Sequence, residues 1–121
     1  MAALQAAREK WPKKKIWCVY QPHQYQRTYY LFDDFVKIFR KAQIDKIIIT
    51  DIYDVAGREE KGIIKNVNSQ KLVEAICRKN VIYMPNEEIL PFLRKNLKQK
   101  QIQVLIIMGA GDIYKIVGKI K

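Results

Sequence analysis

Eight consecutive residues, QPHQYQRT at positions 21–28, carry only polar or aromatic side chains plus one proline, and they separate an apolar run at 16–20 from an amphipathic one at 30–42. Core packing does not account for such a stretch. Its setting is that of a loop between a buried strand and a helix, the place where open α/β sheets bind their ligands. His23 is the only histidine in the chain, and Arg27 follows four residues later with Thr28 beside it. A lone histidine is more often structural or merely exposed. The arginine changes that balance, because a guanidinium fork can hold a carboxylate or phosphate bidentately while an imidazole donates a further hydrogen bond. The expected chemistry is therefore the holding of an anion. Tyr25, Tyr29 and Tyr30 could stack on a base, but aromatic residues that open a helix are more often packed against the sheet, and packing is the expectation here.

A second candidate is GAGD at positions 109–112, which ends the last apolar run. Glycines let backbone N–H groups approach an anion closely, and a helix N-terminus behind them favours negative charge. Asp112 would compete, since as an N-cap it would itself occupy those donors. Both a tight structural turn and a ligand-facing loop fit Gly109 and Gly111.

Several classes lack their parts. Gly57 and Gly62 have the spacing of a P-loop, but Ile63 and Ile64 stand where lysine and a hydroxyl residue are needed. Gly109 and Gly111 begin a GxGxxG pattern, yet Tyr114 takes the third glycine position and the motif follows the last strand, not the first. With one histidine and no CxxC, a zinc site would lack ligands. Cys18 and Cys77 lie in apolar segments and are expected to be buried, reduced and structural. Asp51, Tyr53 and Asp54 end the second strand and could rim the crevice, with loop capping the expected role of the two aspartates. No nucleophile or paired acid and base stands out, so the chain has too few parts to be an enzyme by itself.

The elements that must position these residues follow from periodicity. A chain of 121 residues, 49% hydrophobic, is about one domain. No apolar run reaches the ~18 residues of a membrane span, and no secretory signal is visible, so a cytoplasmic location is expected. Helix is expected over 2–10, stopped by Pro12, and this abrupt opening suggests a domain cut from something longer. Strands are expected at 15–20, 46–52, 81–84 and 102–108. Helices are expected at 29–42, capped by Thr28 with Leu31, Phe35, Ile38 and Ala42 inward, then from 68 or 69 to 79 with Leu72, Val73 and Ile76 inward, and at 113–119. Pro91 splits the reading of 86–97 into a separate turn at 86–89 or one bent helix. The polar stretch 53–68 reads as a long loop with room for a short strand near Ile63 and Ile64. Alternating strands and helices give an α/β fold, a Rossmann-like, mostly parallel sheet of four or more strands with helices on both faces and order 3-2-1-4. That order makes the first and fourth strands neighbours, so QPHQYQRT and GAGD would face each other across one crevice.

The segment at 2–28, AALQAAREKWPKKKIWCVYQPHQYQRT, followed by DIY at 51–53 and GAGD at 109–112, resembles the C-terminal domain of the Mur ligase family of bacterial peptidoglycan synthesis, in its L-alanine-adding branch. The resemblance covers nearly the whole chain; QPHxYxRT is the specific motif, while DIY and GAGD are weak alone. It implies a three-domain, cytoplasmic enzyme, dependent on ATP and Mg2+, that joins L-alanine to the carboxylate of UDP-N-acetylmuramate through an acyl phosphate. The C-terminal domain would close over a central ATPase domain and be inactive in isolation, holding neither ATP nor metal alone. His23 and Arg27 would contact the amino acid carboxylate, with Gln24 and Thr28 beside them, while Tyr25, Gly109, Gly111 and Asp112 would lie on the nucleotide side. This chain departs from the family in Gln24, where arginine is usual, and in Arg58, where an acid is usual after Gly57. The family's interdomain segment that helps bind ATP would be expected just before Ala2.

A net charge of +11 and a pI of about 9.7 support an alternative, a stand-alone basic α/β module for nucleotides or nucleic acid. The lysines are spread over strand entries and helix ends, however, where they are usually solvated or answer the helix dipole. Neither nucleic acid nor a membrane is an expected partner.

Overall fold

The computed structural model describes residues 2–53, 68–109 and 112–120, with Gln26 and Asp112 described in their backbone only. Four strands, β1 (Ile16–Tyr20), β2 (Lys46–Ile49), β3 (Val81–Tyr83) and β4 (Val104–Met108), form one parallel sheet in the order β3-β2-β1-β4. This is the expected topology. Six helices accompany the described strands: α1 (Ala2–Lys10), α2 (Tyr25–Tyr30), α3 (Phe32–Lys41), α4 (Ser69–Ile76), α5 (Asn86–Lys98) and α6 (Asp112–Val117).

The strand side chains alternate between two layers. Ile16, Cys18, Tyr20, Ile47 and Ile49 point to a core filled by Leu4 and Ala7 of α1, Phe35, Val36 and Phe39 of α3, and Leu72 and Ile76 of α4. Trp17, Val19 and Ile48 point the other way, against Ile89 and Leu93 of α5 and Ile113 of α6. Helices on both faces explain the unbroken apolar runs, since β1 is buried along all five residues. They also follow from chain direction: the sheet grows from β1 through β2 to β3 with its helices on one face, then returns to β4 on the far side of β1. Crossovers of one hand put α5 on the opposite face. β4 has a single neighbour and is only half-buried.

Local boundaries differ from expectation where hydrogen bonding overrides periodicity. Thr28 is not an N-cap. It lies inside α2, buried, with its hydroxyl donating to Gln24 O at 2.9 Å, a back-bond available to threonine within a helix. The expected 29–42 helix is two helices meeting at Leu31, and the inward face of α3 is Phe35, Val36 and Phe39, while Leu31 is exposed. Asn68 caps α4 by accepting from Lys71 N–H at 2.8 Å. That helix ends at Cys77, which adopts a left-handed conformation (φ 53°) one residue past buried Ile76, so Cys77 is exposed and not buried as expected. The segment 86–98 is a single helix through Pro91, with Ile89 and Leu93 fully buried on either side of the proline. The short strand considered near Ile63 and Ile64 lies outside the described residues.

Arg8 docks α1. Its guanidinium donates to Gln43 O at 2.6 Å, Lys14 O at 2.9 Å and Asp45 Oδ2 at 2.8 Å, and the same carboxylate oxygen accepts from Ile16 N–H at 2.7 Å. The helix is thereby tied to the entrance of β1. No helix among the described residues is long and apolar enough to cross a membrane.

Candidate functional site

Tyr20 and Met108 are the last paired residues of β1 and β4, and beyond them the two chains diverge at the topological switch. The gap is a cavity of about 290 Å³ lined by Tyr20, Gln21, His23, Arg27, Phe35, Met108 and Gly109. Larger depressions lie between α1 and α3 and beside the C-terminal turn of α5, about 430 and 670 Å³, but neither is lined by residues of the two candidate loops. The chemistry gathers at the smaller one.

Gln21 forms one wall and carries the β1 end into the facing loop. Its N–H donates to Met108 O at 2.9 Å, extending the ladder by one step. The buried side chain turns towards α6, where Oε1 accepts from Ile113 N–H at 3.2 Å. One donor at the start of α6 is thus used inside the protein. Gly109 packs directly on this residue: a Cβ there would stand 2.8 Å from Gln21 O and 2.9 Å from Gln21 Cβ, and its φ of +146° is one that side chains rarely tolerate. Gly109 is therefore a close-packed turn that also lines the cavity. Gly111 and the Asp112 side chain lie outside what is described; Asp112 opens α6.

His23 is held from the opposite side by the DIY segment. It forms an isolated parallel bridge with Tyr53, in which Tyr53 N–H donates to Pro22 O at 2.8 Å and Gln24 N–H donates to Tyr53 O at 2.7 Å. The two rings stack, with centroids 5.7 Å apart and planes 28° from parallel. Gln24 has φ 68° and ψ 135°, an unfavourable backbone for a residue other than glycine. The Tyr53 bond on one side and the Thr28 N–H and hydroxyl on the other hold it there.

Arg27 projects from α2, exposed, at the cavity mouth. Burial pushes the neighbouring Tyr20 hydroxyl up to about 12; the Arg27 charge opposes that rise and Cys18 adds to it. Tyr20 therefore stays neutral. No carboxylate lines the cavity among the described residues, so its formal charge there is that of Arg27, with His23 beside it as a hydrogen-bonding group. The arrangement suits a small anion.

The structure thus brings His23, Arg27 and Gly109 to one cavity, with Gln24 at the turn behind His23 and Thr28 buried beneath. Tyr25 is half-buried against Ile52 and Phe32. Tyr29 and Tyr30 are 43% and 65% exposed and meet edge to face at 5.3 Å, which overturns their expected packing against the sheet. A six-residue helix that begins at Tyr25 presents that pair to solvent. Asp51 caps, as expected of it: it accepts from Tyr83 OH at 2.5 Å and from Asn86 N–H, the first residue of α5, at 3.1 Å. Asp54 lies outside the described residues. Among the described residues no group of three or more acids, cysteines or histidine could hold a metal ion. Sequence reasoning gave Gln21 no role of its own within the loop, and it set Tyr53 at the crevice rim without its pairing to His23. Strand register could have found the first, because Gln21 follows the residue paired with Met108 and so must meet Gly109.

No family model matches the chain. Curated relatives do. The chain is 46% identical over 117 residues to the UDP-N-acetylmuramate–L-alanine ligase of Alkaliphilus metalliredigens, which covers 95% of this chain and 24% of that protein. It is 40% identical over 117 residues to the ligase of the same name from Acetivibrio thermocellus, covering 95% of this chain and 23% of that protein. The chain spans about a quarter of the length of the curated relatives it matches. Among solved structures, the UDP-N-acetylmuramate–alanine ligase of Thermotoga maritima is similar with a TM-score of 0.55 and 25% identity, over 98% of this chain and 22% of that one. These matches do not favour a stand-alone basic module. Over nearly its whole length, in sequence and in its four-stranded parallel fold, the chain is related to one quarter-length segment of the UDP-N-acetylmuramate–L-alanine ligases.

Proposed function

We propose that this chain is the C-terminal, substrate-closing domain of a cytoplasmic ligase that uses ATP and Mg2+ to join L-alanine to UDP-N-acetylmuramate in peptidoglycan synthesis. What supports the reading is one observation: His23 and Arg27 share a cavity with Gly109 at the β1–β4 switch, with no carboxylate among its described lining residues, in a chain related to such ligases over 95% of its length.

ATP with Mg2+ supplies the phosphoryl group that activates the muramyl carboxylate. The described residues offer neither a P-loop lysine nor a metal-ligand cluster, and the role proposed for this chain lies with the amino acid. Arg27 grips the L-alanine carboxylate with its fork and His23 donates a further hydrogen bond. Held by that end, the amino acid presents its amine to the activated carbonyl, the new amide bond forms, and phosphate leaves. The contribution is orientation and charge neutralisation, not nucleophilic attack by the protein. Gln24 and Thr28 fix the turn that carries His23, while Tyr25 and Gly109 are assigned to the nucleotide side, the role also proposed for Gly111 and Asp112 from the sequence. Alone, the chain is inactive.

The test is Arg27→Ala in the ligase that contains this chain. Loss of a charge-assisted pair worth about 1.5–3 kcal/mol raises KM for L-alanine by about 10- to 150-fold. Arg27→Lys restores only part, because an ammonium cannot grip both oxygens in one plane. Unchanged kinetics in Arg27→Ala would refute the assignment.

A further inference from the structure

The DIY segment touches the site through one residue that does not line the cavity. Tyr53 holds His23 in three ways. Its N–H donates to Pro22 O at 2.8 Å and its carbonyl accepts from Gln24 N–H at 2.7 Å, so the main chain is pinned immediately before and after the histidine. Its ring then lies against the imidazole at 5.7 Å and 28°. The backbone bonds fix where His23 sits; the ring fixes how the imidazole is turned. Of the two rings, only His23 reaches the cavity wall.

We infer that Tyr53 is a positioning residue for His23, setting the imidazole plane so that a ring nitrogen faces the bound carboxylate. The inference rests on the reading in which His23 contacts that carboxylate. Free rotation of an unstacked imidazole would spread its donor over many directions, and binding would then carry the entropy of selecting one. An aromatic stack removes that cost before the ligand arrives. The phenol hydroxyl has no part in it, so phenylalanine should serve as well as tyrosine. An aliphatic side chain, which has no aromatic face, should not.

The experiment is a double-mutant cycle on the full ligase, with KM and kcat for L-alanine measured for Tyr53→Phe, Tyr53→Leu, His23→Ala and His23→Ala with Tyr53→Leu, each with its Tm. Leucine is the smaller side chain, so the Tm of Tyr53→Leu reports whether folding is retained. The expected result is a KM for L-alanine raised by about 2- to 12-fold, the scale of an aromatic pair, with kcat little changed. Tyr53→Phe should match the parent, and Tyr53→Leu should add nothing once His23 is alanine. A full Tyr53→Leu effect persisting in the His23→Ala background, or a wild-type KM in Tyr53→Leu beside a raised one in His23→Ala, overturns the positioning role and leaves the site reading intact. A His23→Ala variant with unchanged KM overturns both.

Discussion

Replacing Gly109 by alanine tests the joint on which the cavity is built. The perturbation adds one methyl group at a residue with φ +146°, where its Cβ meets Gln21 O at 2.8 Å and Gln21 Cβ at 2.9 Å. Ordinary carbon contacts begin about 3.5 Å apart, so something must move by more than half an ångström. The neighbour is backbone, and it is fixed: Gln21 N–H is committed to Met108 O at 2.9 Å and its side chain to Ile113 N–H at 3.2 Å. A side chain held in a glycine-only backbone region costs about 1–3 kcal/mol, and overpacking a rigid contact costs about 1–3 kcal/mol more. The sum, about 2–6 kcal/mol, is a large part of the roughly 6–18 kcal/mol expected for a chain of this length. At about 4 °C per kcal/mol, thermal unfolding followed by circular dichroism should show Tm lowered by about 8–24 °C. Gly118→Ala is the control, because its nearest atoms are Tyr114 O at 3.3 Å and Lys115 O at 3.7 Å, and it should lower Tm by no more than about 4 °C. A Gly109→Ala variant melting within about 2 °C of the parent, or level with Gly118→Ala, would refute the close-packed joint.

Two further outcomes follow from groups outside the cavity. Burial would raise the Asp45 carboxyl, but the Ile16 N–H and Arg8 outweigh it and hold its pKa below the usual 3.8. Its contribution is therefore complete above pH 3.8 and lost as pH falls through the lower, folded value. With the side chain 47% exposed, Asp45→Asn should cost a few tenths to about 1 kcal/mol at neutral pH, and the Tm deficit should shrink below pH 4; a deficit constant down to pH 2 would contradict the ion pair. The two thiols should separate by reactivity. Burial pushes the Cys18 thiol up to about 12, whereas Cys77 is exposed, so a disulfide reagent at pH 8 should titrate one thiol quickly and the second only on unfolding. Equal rates in the native protein would show that Cys18 is not sealed.

The fold was legible because its strongest signals are long and redundant. Ile47, Ile48 and Ile49 cannot alternate between core and water, so both sheet faces had to be covered, and crossover rules left a few strand orders, among them the 3-2-1-4 that is observed. What failed was local. Thr28 has the chemistry of a cap, but its hydroxyl found Gln24 O within the helix. Cys77 looked buried by its apolar neighbours, yet a left-handed turn places it one residue beyond the helix that would have buried it. Tyr29 and Tyr30 have aromatic propensity for a core that α2 is too short to reach with every face. In the site, His23, Arg27 and Gly109 were readable from side-chain type and topology. The Tyr53 bridge was not, because its partners are backbone atoms of Pro22 and Gln24, and main-chain pairing between loops leaves no mark in residue type.

Gln21 also bears on how this cavity would hold the anion of the proposed function. A ligand at a β1–β4 switch can draw on a helix N-terminus, on loop N–H groups or on side chains, and the sequence left the first two open through GAGD. Helix α6 has six residues, and the Ile113 N–H at its start is spent on Gln21 Oε1. With Gly109 pressed against the Gln21 backbone, the described part of that wall closes the cavity and carries no charged side chain. Among the described lining residues the formal charge is that of Arg27, on the opposite wall beside His23. A phosphate-cradling loop keeps much of its grip when one side chain is removed, because backbone donors remain. This cavity should lose most of its grip with Arg27, so the arginine substitution reports on the ligand while changes at Gly109 report first on the fold.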